Sequence, residues 1–293
     1  MLAAVLTSLR PRQWVKNLFV FAGVVFAQQI FTPLVWRAAA AFVIFCGLSG
    51  AIYLFNDVAD VDKDRLHPQK KQRPIAAGEL SIRAAVVTGI ALLAVCLSAA
   101  FSLSPVFGLT ALGYGVLLTA YSAWLKHRVI LDVLTVATGF VLRAVAGAVA
   151  VEVEISGWLL ICTILIALFL ALGKRRHEYR SLTGNAAAHR PILAEYSEAF
   201  LDQMISVVTA STVTAYALYT MSAETVAKFH TRLLPLTLPF VLYGIFRYLY
   251  LLYRRDLGGN PSDLLVNDRA LLVDALLWML ATLAIIYGPR WTG

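Results

Sequence analysis

Charge is scarce in this chain. Only 14% of its 293 residues are Asp, Glu, Lys or Arg, 60% are hydrophobic, and the mean hydropathy is +0.75. A water-soluble domain of that make-up would expose large apolar patches, so the composition points to an integral membrane protein. Cysteine is scarce too. Cys46, Cys96 and Cys162 lie in apolar segments without metal-ligand spacing, which argues against a thiolate metal site and a disulfide framework. The five histidines are scattered, and His127 and His177 are not assigned as general bases. The acidic region described below has no glycine-rich phosphate loop and no nucleophilic Ser/His/Asp arrangement around it. No cleavable signal peptide is expected, because Arg10, Pro11 and Arg12 interrupt the N-terminal apolar stretch early.

Nine long apolar segments are present, roughly Asn17 to Phe31, Ala38 to Phe55, Ile82 to Phe101, Val106 to Leu125, Val129 to Ala150, Trp158 to Gly173, Phe200 to Met221, Leu233 to Tyr253 and Ala270 to Tyr287. Most reach the ~17–25 residues that a tilted span requires. The expectation is an all-α polytopic membrane protein, a nine-helix bundle forming one domain over residues 1–293. Most of the 25 Lys and Arg residues fall before the first segment or after segments two, four, six and eight; Arg37, Lys228, Arg232 and Arg290 lie on the other side. By the positive-inside rule the N-terminus is cytoplasmic and the C-terminus external, in the plasma (inner) membrane. The net charge of +8 follows largely from that bias, and no nucleic-acid partner is expected. Small-residue faces permit a homo-oligomer.

The second segment ends in Asn56-Asp57-Val58-Ala59-Asp60-Val61-Asp62-Lys63-Asp64. Carboxylates at membrane depth are costly and usually functional. At about 100° per residue, a continuous helix places Asn56, Asp57, Asp60 and Asp64 within roughly 100° of one another, with Asp62 elsewhere. Three carboxylates and an amide oxygen on one face suit Mg²⁺, which in turn holds substrate phosphates. Bases gather at the same side of the bundle: Arg10 to Asn17, including Lys16; Gln72-Arg73; Tyr121 to Lys126; Gly173-Lys174-Arg175-Arg176; and Asp268-Arg269. Singly these are ordinary headgroup contacts; together with the acids they form a cationic vault for a polyphosphate. Arg143 lies inside the fifth segment, where an arginine faces the bundle interior and a partner or ligand, and its planar fork suits phosphate. Arg247 lies inside the eighth segment, either structural or a contact for a lipid phosphate.

Asn56-Asp57-x-x-Asp60-x-x-x-Asp64 after a span resembles the first aspartate-rich motif of the UbiA superfamily of intramembrane prenyltransferases, and the resemblance covers essentially the whole chain. The chain departs from the aromatic prenyltransferases of that superfamily after segment six. Where those carry a second Asp-x-x-x-Asp, it reads Gly173-Lys174-Arg175-Arg176-His177-Glu178. With the Arg10 to Asn17 run, Tyr53-Leu54-x-Asn56-Asp57, Arg73-Pro74-Ile75, Leu125-Lys126-His127, Arg143-Ala144-x-Ala146-Gly147 and Asp268-Arg269, this resembles the branch that transfers phosphoribose to a polyprenyl (decaprenyl) phosphate.

The resemblance implies a pentosyltransferase that uses phosphoribosyl pyrophosphate and Mg²⁺ and releases pyrophosphate, serving arabinose-donor synthesis for cell-envelope glycans in the best-known members. Asn56, Asp57, Asp60 and Asp64 are the expected metal ligands. Asp57, Asp60, Lys126 and Arg143 are the expected catalytic residues. Substrate contacts are expected from Lys16, Asn17, Tyr53, Arg73, Tyr121, Lys126, Arg143, Lys174, Arg175, Glu178, Asp268 and Arg269. Two other readings stand beside it: an aromatic prenyltransferase of quinone synthesis with a polyprenyl diphosphate donor, and a non-enzymatic lipid or ion transporter. The latter predicts broken helices or internal repeats, and no inverted repeat is evident.

Overall fold

The structure, a computed structural model, describes residues 2–67, 70–181 and 191–288. These form α-helices and short 3-10 turns, with no strand among them. In chain order the α-helices are α1 (Leu2–Ser8), α2 (Ala22–Phe26), α3 (Leu34–Ala59), α4 (Val61–Leu66), α5 (Ile82–Leu103), α6 (Pro105–Ala123), α7 (Leu131–Ala150), α8 (Gly157–Ser181), α9 (Glu198–Met221), α10 (Ala223–Phe229), α11 (Leu238–Arg254), α12 (Pro261–Asn267) and α13 (Arg269–Tyr287). Among the described residues, eight helices are long and apolar enough to cross a membrane: α3, α5, α6, α7, α8, α9, α11 with its preceding turn, and α13. The chain is a multi-pass membrane protein.

Eight of the nine expected segments thus appear as long helices. The first takes another form: a 3-10 stretch, Pro11–Phe21, runs into the five-residue α2. The acidic stretch also differs from one continuous helix. Asp60 leaves helical geometry at φ −100°, ψ 9°, so α3 stops at Ala59 and α4 begins at Val61. The single helical face expected for Asn56 through Asp64 is therefore broken at its middle.

The chain divides into two compact units, Met1–Leu125 with Leu142–Ile155, and Lys126–Val141 with Ser156–Gly293. Helix α7 contributes its start to the second unit and its end to the first. In the first unit α3 is the most enclosed span and packs against α5, which packs against α6. Phe45, Leu48, Phe107 and Tyr114 interlock there with Ala146 and Ala150. The Phe45 ring lies 5.9 Å from Phe107 and 5.0 Å from Tyr114, within the range of favourable aromatic pairs. Val87, Ile90, Val95, Leu109, Leu112 and Val116 on α5 and α6 are exposed, as lipid-facing side chains are. With lipid rather than water outside, close packing and satisfied polar groups hold such helices together. Ser104 accepts from Phe107 N–H at 3.1 Å and Pro105 opens α6, which fixes the tight α5–α6 turn. In the second unit α8 packs on α9 and α11 on α13, around Phe169, Leu172, Leu201, Ile205, Tyr248 and Leu252.

Two glycines bring the 3-10 stretch against the end of α7. A Cβ on Gly147 would overlap the Val20 carbonyl, and one on Gly23 would sit 2.6 Å from Ala148 N. Only hydrogen fits at either place, and this closeness carries Asn17 to the level of Arg143. Gly147→Ala is expected to destabilise the fold by ~1–3 kcal/mol, the usual cost of overpacking. Gly113→Ala is the control: nothing lies within 4 Å of a Cβ there, so helix propensity alone acts and the change is neutral or stabilising by up to about 1 kcal/mol. Thermal unfolding of both variants in detergent checks the contrast.

Candidate active site

The acidic end of α3 is built by the loop that follows α4. Ile75 and Leu80 are buried against Ala4, Leu54, Val61 and Ala85. The loop closes on itself through Ala77 N–H to Arg73 O at 2.8 Å and Leu80 N–H to Pro74 O at 3.1 Å, and it turns at Gly78, whose φ of 81° suits glycine. Anchored this way, Arg73 lies between two carboxylates. Its Nη1 donates to Asp57 Oδ1 at 3.0 Å and to Asp64 Oδ2 at 2.6 Å. Arg10 also donates to Asp57 Oδ1, and its guanidinium lies 4.7 Å from the centre of the Tyr53 ring. Asp57 and Asp64 are each only 2% exposed.

The structure thus brings Asp57 and Asp64 together in spite of the helix break. Asn56 is half-buried on the last turn of α3, Asp60 is half-buried at the break, and Asp62 points outward to Arg65. Among the described residues, no three His, Cys, Asp or Glu side chains are arranged as a ready metal cage. The donor chemistry nevertheless fits a hard divalent cation: two buried carboxylates share one positive group, and the amide of Asn56 precedes them. Arg10 was expected only as part of the basic run before the first segment, not as a site residue in its own right. Its signal was its place in a short basic run, but pairing over 47 residues of sequence is set by packing alone.

Deeper in the same unit lies a polar network. Arg143, 5% exposed, donates from Nε to Asn17 Oδ1 at 2.8 Å and from Nη2 to Tyr114 OH at 2.6 Å. Asn17 Nδ2 donates to Ser49 Oγ at 3.4 Å, and Ser49 Oγ lies 3.4 Å from Tyr114 OH. Arg143 and Asn17 were both expected at the site; Tyr114 and Ser49 were not. Lys16 is half-buried on the 3-10 stretch and Tyr121 half-buried on the last turn of α6.

The second unit has its own charged cluster. Lys126 is half-buried in a 3-10 turn, Leu125–His127, ahead of α7. Near the end of α8, Arg175 is 3% exposed, donates from Nε to Asp132 Oδ2 at 2.6 Å and pairs with Glu178. Asp132 is fully buried and also accepts from Tyr196 OH at 2.7 Å. That hydroxyl in turn accepts from Ile130 N–H at 2.9 Å, which holds a β-branched residue at φ 68°. Burial, reinforced by Asp132, pushes the Tyr196 hydroxyl above its ordinary pKa, so it stays a donor. Arg175, expected as a phosphate contact, is committed to this interior pairing. Lys174, with 44% of its side chain exposed and 3.7 Å from Glu178, is the accessible base of the motif. Asp132 was missed, although an acid inside the apolar segment Val129 to Ala150 is a signal.

Arg247, left open by sequence, grips Asp268 through two bonds of 3.2 and 2.8 Å. Asp268 also caps α13 by accepting from Leu271 N–H at 2.9 Å. The Arg247 hydrogen bond holds the Asp268 carboxyl below its ordinary pKa. Arg269 is exposed.

A bundle of apolar helices with buried carboxylates at the end of one span, clamped by arginine, defines a class. The chain belongs to the UbiA prenyltransferase family, which matches residues 17–264, and it is a membrane-embedded transferase. Among its relatives, decaprenyl-phosphate phosphoribosyltransferase of Mycobacterium tuberculosis is 31% identical over 95% of this chain and 93% of that protein. The protein of that name from Corynebacterium glutamicum is 34% identical over 96% of this chain and 86% of its own length. A UbiA homolog from Archaeoglobus fulgidus, solved bound to GPP and Mg²⁺, superposes with a TM-score of 0.75 at 23% identity over 97% of this chain and 99% of that one. The same homolog bound to Cd²⁺ gives a TM-score of 0.68.

Asp132→Ala removes a carboxylate from a buried arginine and is expected to cost about 3–5 kcal/mol; thermal unfolding in detergent measures it. Asp268→Asn isolates the charge at the α13 cap, since asparagine also caps. A depressed folded pKa contributes stability above the unfolded carboxylate value and loses it as pH falls through the folded value. The variant should therefore melt below the wild type at neutral pH, and the gap should close in acid.

Proposed function

We propose that the protein transfers a 5-phosphoribosyl group from phosphoribosyl pyrophosphate to a polyprenyl phosphate and releases pyrophosphate. The observation that carries this reading is the make-up of the α8 cluster. Lys174, Arg175 and Glu178, organised on the buried Asp132, stand where aromatic prenyltransferases have a second pair of aspartates. The accessible group of the cluster is a base, Lys174, rather than a pair of carboxylates, which suits direct contact with a phosphate. The relatives named decaprenyl-phosphate phosphoribosyltransferase, aligned over most of their length, support the same choice.

Asp57 and Asp64, with Asn56 and Asp60, would hold Mg²⁺. When bound, that ion neutralises charge growing on the pyrophosphate leaving group. Arg73 and Arg10 neutralise the carboxylates, and with a cation bound there each would be available to a phosphate as well. Lys16, Lys126, Arg143, Lys174 and Arg269 are the further phosphate-gripping groups, acting by electrostatic stabilisation. Tyr53 lies against Arg10 one turn before Asp57, Tyr121 precedes Lys126 by five residues, and Asn17 and Asp268 orient Arg143 and Arg247. A lipid phosphate oxygen attacks C1 of the ribose while the C1–O bond to pyrophosphate breaks, and the bonding electrons leave with pyrophosphate. Inversion at C1 is expected. The acceptor is already anionic at neutral pH, so no general base is needed. By the positive-inside distribution, the acidic end of α3 and the N-terminus face the cytoplasm across the plasma membrane.

A single-turnover assay in detergent, with Mg²⁺, a polyprenyl phosphate and radiolabelled phosphoribosyl pyrophosphate, tests the reading. Label should pass into the lipid phase. If it stays in water while a polyprenyl diphosphate alkylates an aromatic acid, the aromatic prenyltransferase reading takes its place. Asp57→Asn and Asp60→Asn should each abolish Mg²⁺-dependent turnover in a folded protein. Lys174→Ala should raise the KM for the sugar donor more than that for the lipid.

A further inference from the structure

The reaction proposed above needs an anionic lipid brought beside Asp57, and the first unit contains a cavity of suitable make-up. It is an open hollow of about 630 Å³, lined by Leu6, Thr7 and residues 10–13. Arg10 and Arg12 supply two guanidinium groups, Gln13 an amide and Thr7 a hydroxyl, while Leu6 and Pro11 supply apolar wall. Arg10 belongs to the cavity and also binds Asp57. The cavity therefore lies within one side-chain length of the acidic cluster.

The backbone at Arg10 is in the left-handed region, at φ 52°, ψ 64°, which a non-glycine residue rarely adopts without a compensating contact. Here the contacts are Asp57 and the face of Tyr53. Arg12 is exposed and makes no ion pair among the described residues. On the adjoining α1, Leu6 in the cavity wall is 48% exposed and Leu2, about one turn earlier, 75%, so apolar surface continues beside the arginines. A fully hydrated sugar polyphosphate has no use for that apolar surface. A phosphate monoester on a hydrocarbon chain needs both features side by side: a planar, charged fork for the phosphate and apolar surface for the chain.

We infer that this cavity seats the phosphate of the acceptor lipid, with Arg12 as its first contact and Arg10 shared between that phosphate and Asp57. The inference rests on the ribosyl-transfer reading for its place in the reaction, but not for its ligand.

Two measurements on the intact protein test it. Kinetically, Arg12→Gln should raise the KM for polyprenyl phosphate about tenfold, the scale of one lost charge-assisted contact. The KM for phosphoribosyl pyrophosphate should stay unchanged, and Arg12→Lys should recover part of the loss. For binding without turnover, the fluorescence of Trp14, next to Gln13, reports on farnesyl phosphate added alone, with Trp14→Phe identifying the signal. Farnesyl phosphate should change it in the wild type and not in Arg12→Gln, and inorganic phosphate should have no effect. The proposal is overturned if Arg12→Gln binds farnesyl phosphate as the wild type does, if inorganic phosphate gives the same change, or if the KM for the sugar donor moves instead. If the wild type transfers no ribose but the binding contrast holds, the lipid-phosphate seat stands and the ribosyl-transfer reading falls.

Discussion

Two carboxylates, Asp57 and Asp64, are almost wholly withdrawn from solvent at the end of an apolar helix, and the first unit is arranged around neutralising them. An ionised carboxylate at that depth is untenable without a partner. Arg73 meets the need from the loop after α4, and that loop is in turn held by Ile75, Leu80 and the turn at Gly78. Arg10 meets it from the N-terminal side, at the junction between α1 and the 3-10 stretch. Each arginine thus ties a peripheral segment to α3. An arrangement in which protein cations sit on the carboxylates is also one that a divalent ion and a phosphate can take over, because the charges exchanged are of the same kind.

The second unit shows the complementary arrangement. There the buried acid, Asp132, serves an arginine rather than the reverse, and Tyr196 completes its hydrogen bonds while pinning the strained turn at Ile130. Arg176, stacked 4.0 Å from the centre of the Tyr253 ring and bound to Asp202 and Glu198, repeats the theme one residue on. Lys174 is left as the accessible charge of the motif. In both units, then, burial of a charge is balanced by a partner brought from another part of the chain, by Arg73 and Arg10 in the first and by Asp132 in the second.

How far the site could be read beforehand varied with the kind of interaction. Asp57 and Asp64 stood out because clustered acids after an apolar run have few structural reasons to exist. Arg143 stood out because a base inside a span requires internal company. Both judgements rest on the local cost of charge in hydrocarbon, which sequence exposes directly. Arg175 was assigned to phosphate because its partner, Asp132, lies 43 residues away and on another helix. Arg10 was grouped with its neighbouring bases and not paired with Asp57, because nothing in its own neighbourhood indicates that carboxylate. The one-face argument for Asn56 through Asp64 assumed an unbroken helix, and the break at Asp60 changed how the acids meet without keeping Asp57 from Asp64.

By itself, the sequence determined the environment of the chain, while the class came from resemblance to the UbiA superfamily. Read directly were the long apolar segments, the uneven distribution of charge between them, and the acids and the arginine placed within or beside them. These follow from hydropathy and from the energy of single charges, which need no knowledge of neighbours. Only the tertiary structure decided which arginine answers which carboxylate, why Gly147 must lack a side chain, and that the segment from Pro11 to Phe26 is a 3-10 stretch with a short helix rather than one long helix. The physical reason is that hydrogen bonds and close contacts act over a few ångströms, so they depend on residues that sequence separates by tens of positions and folding brings together.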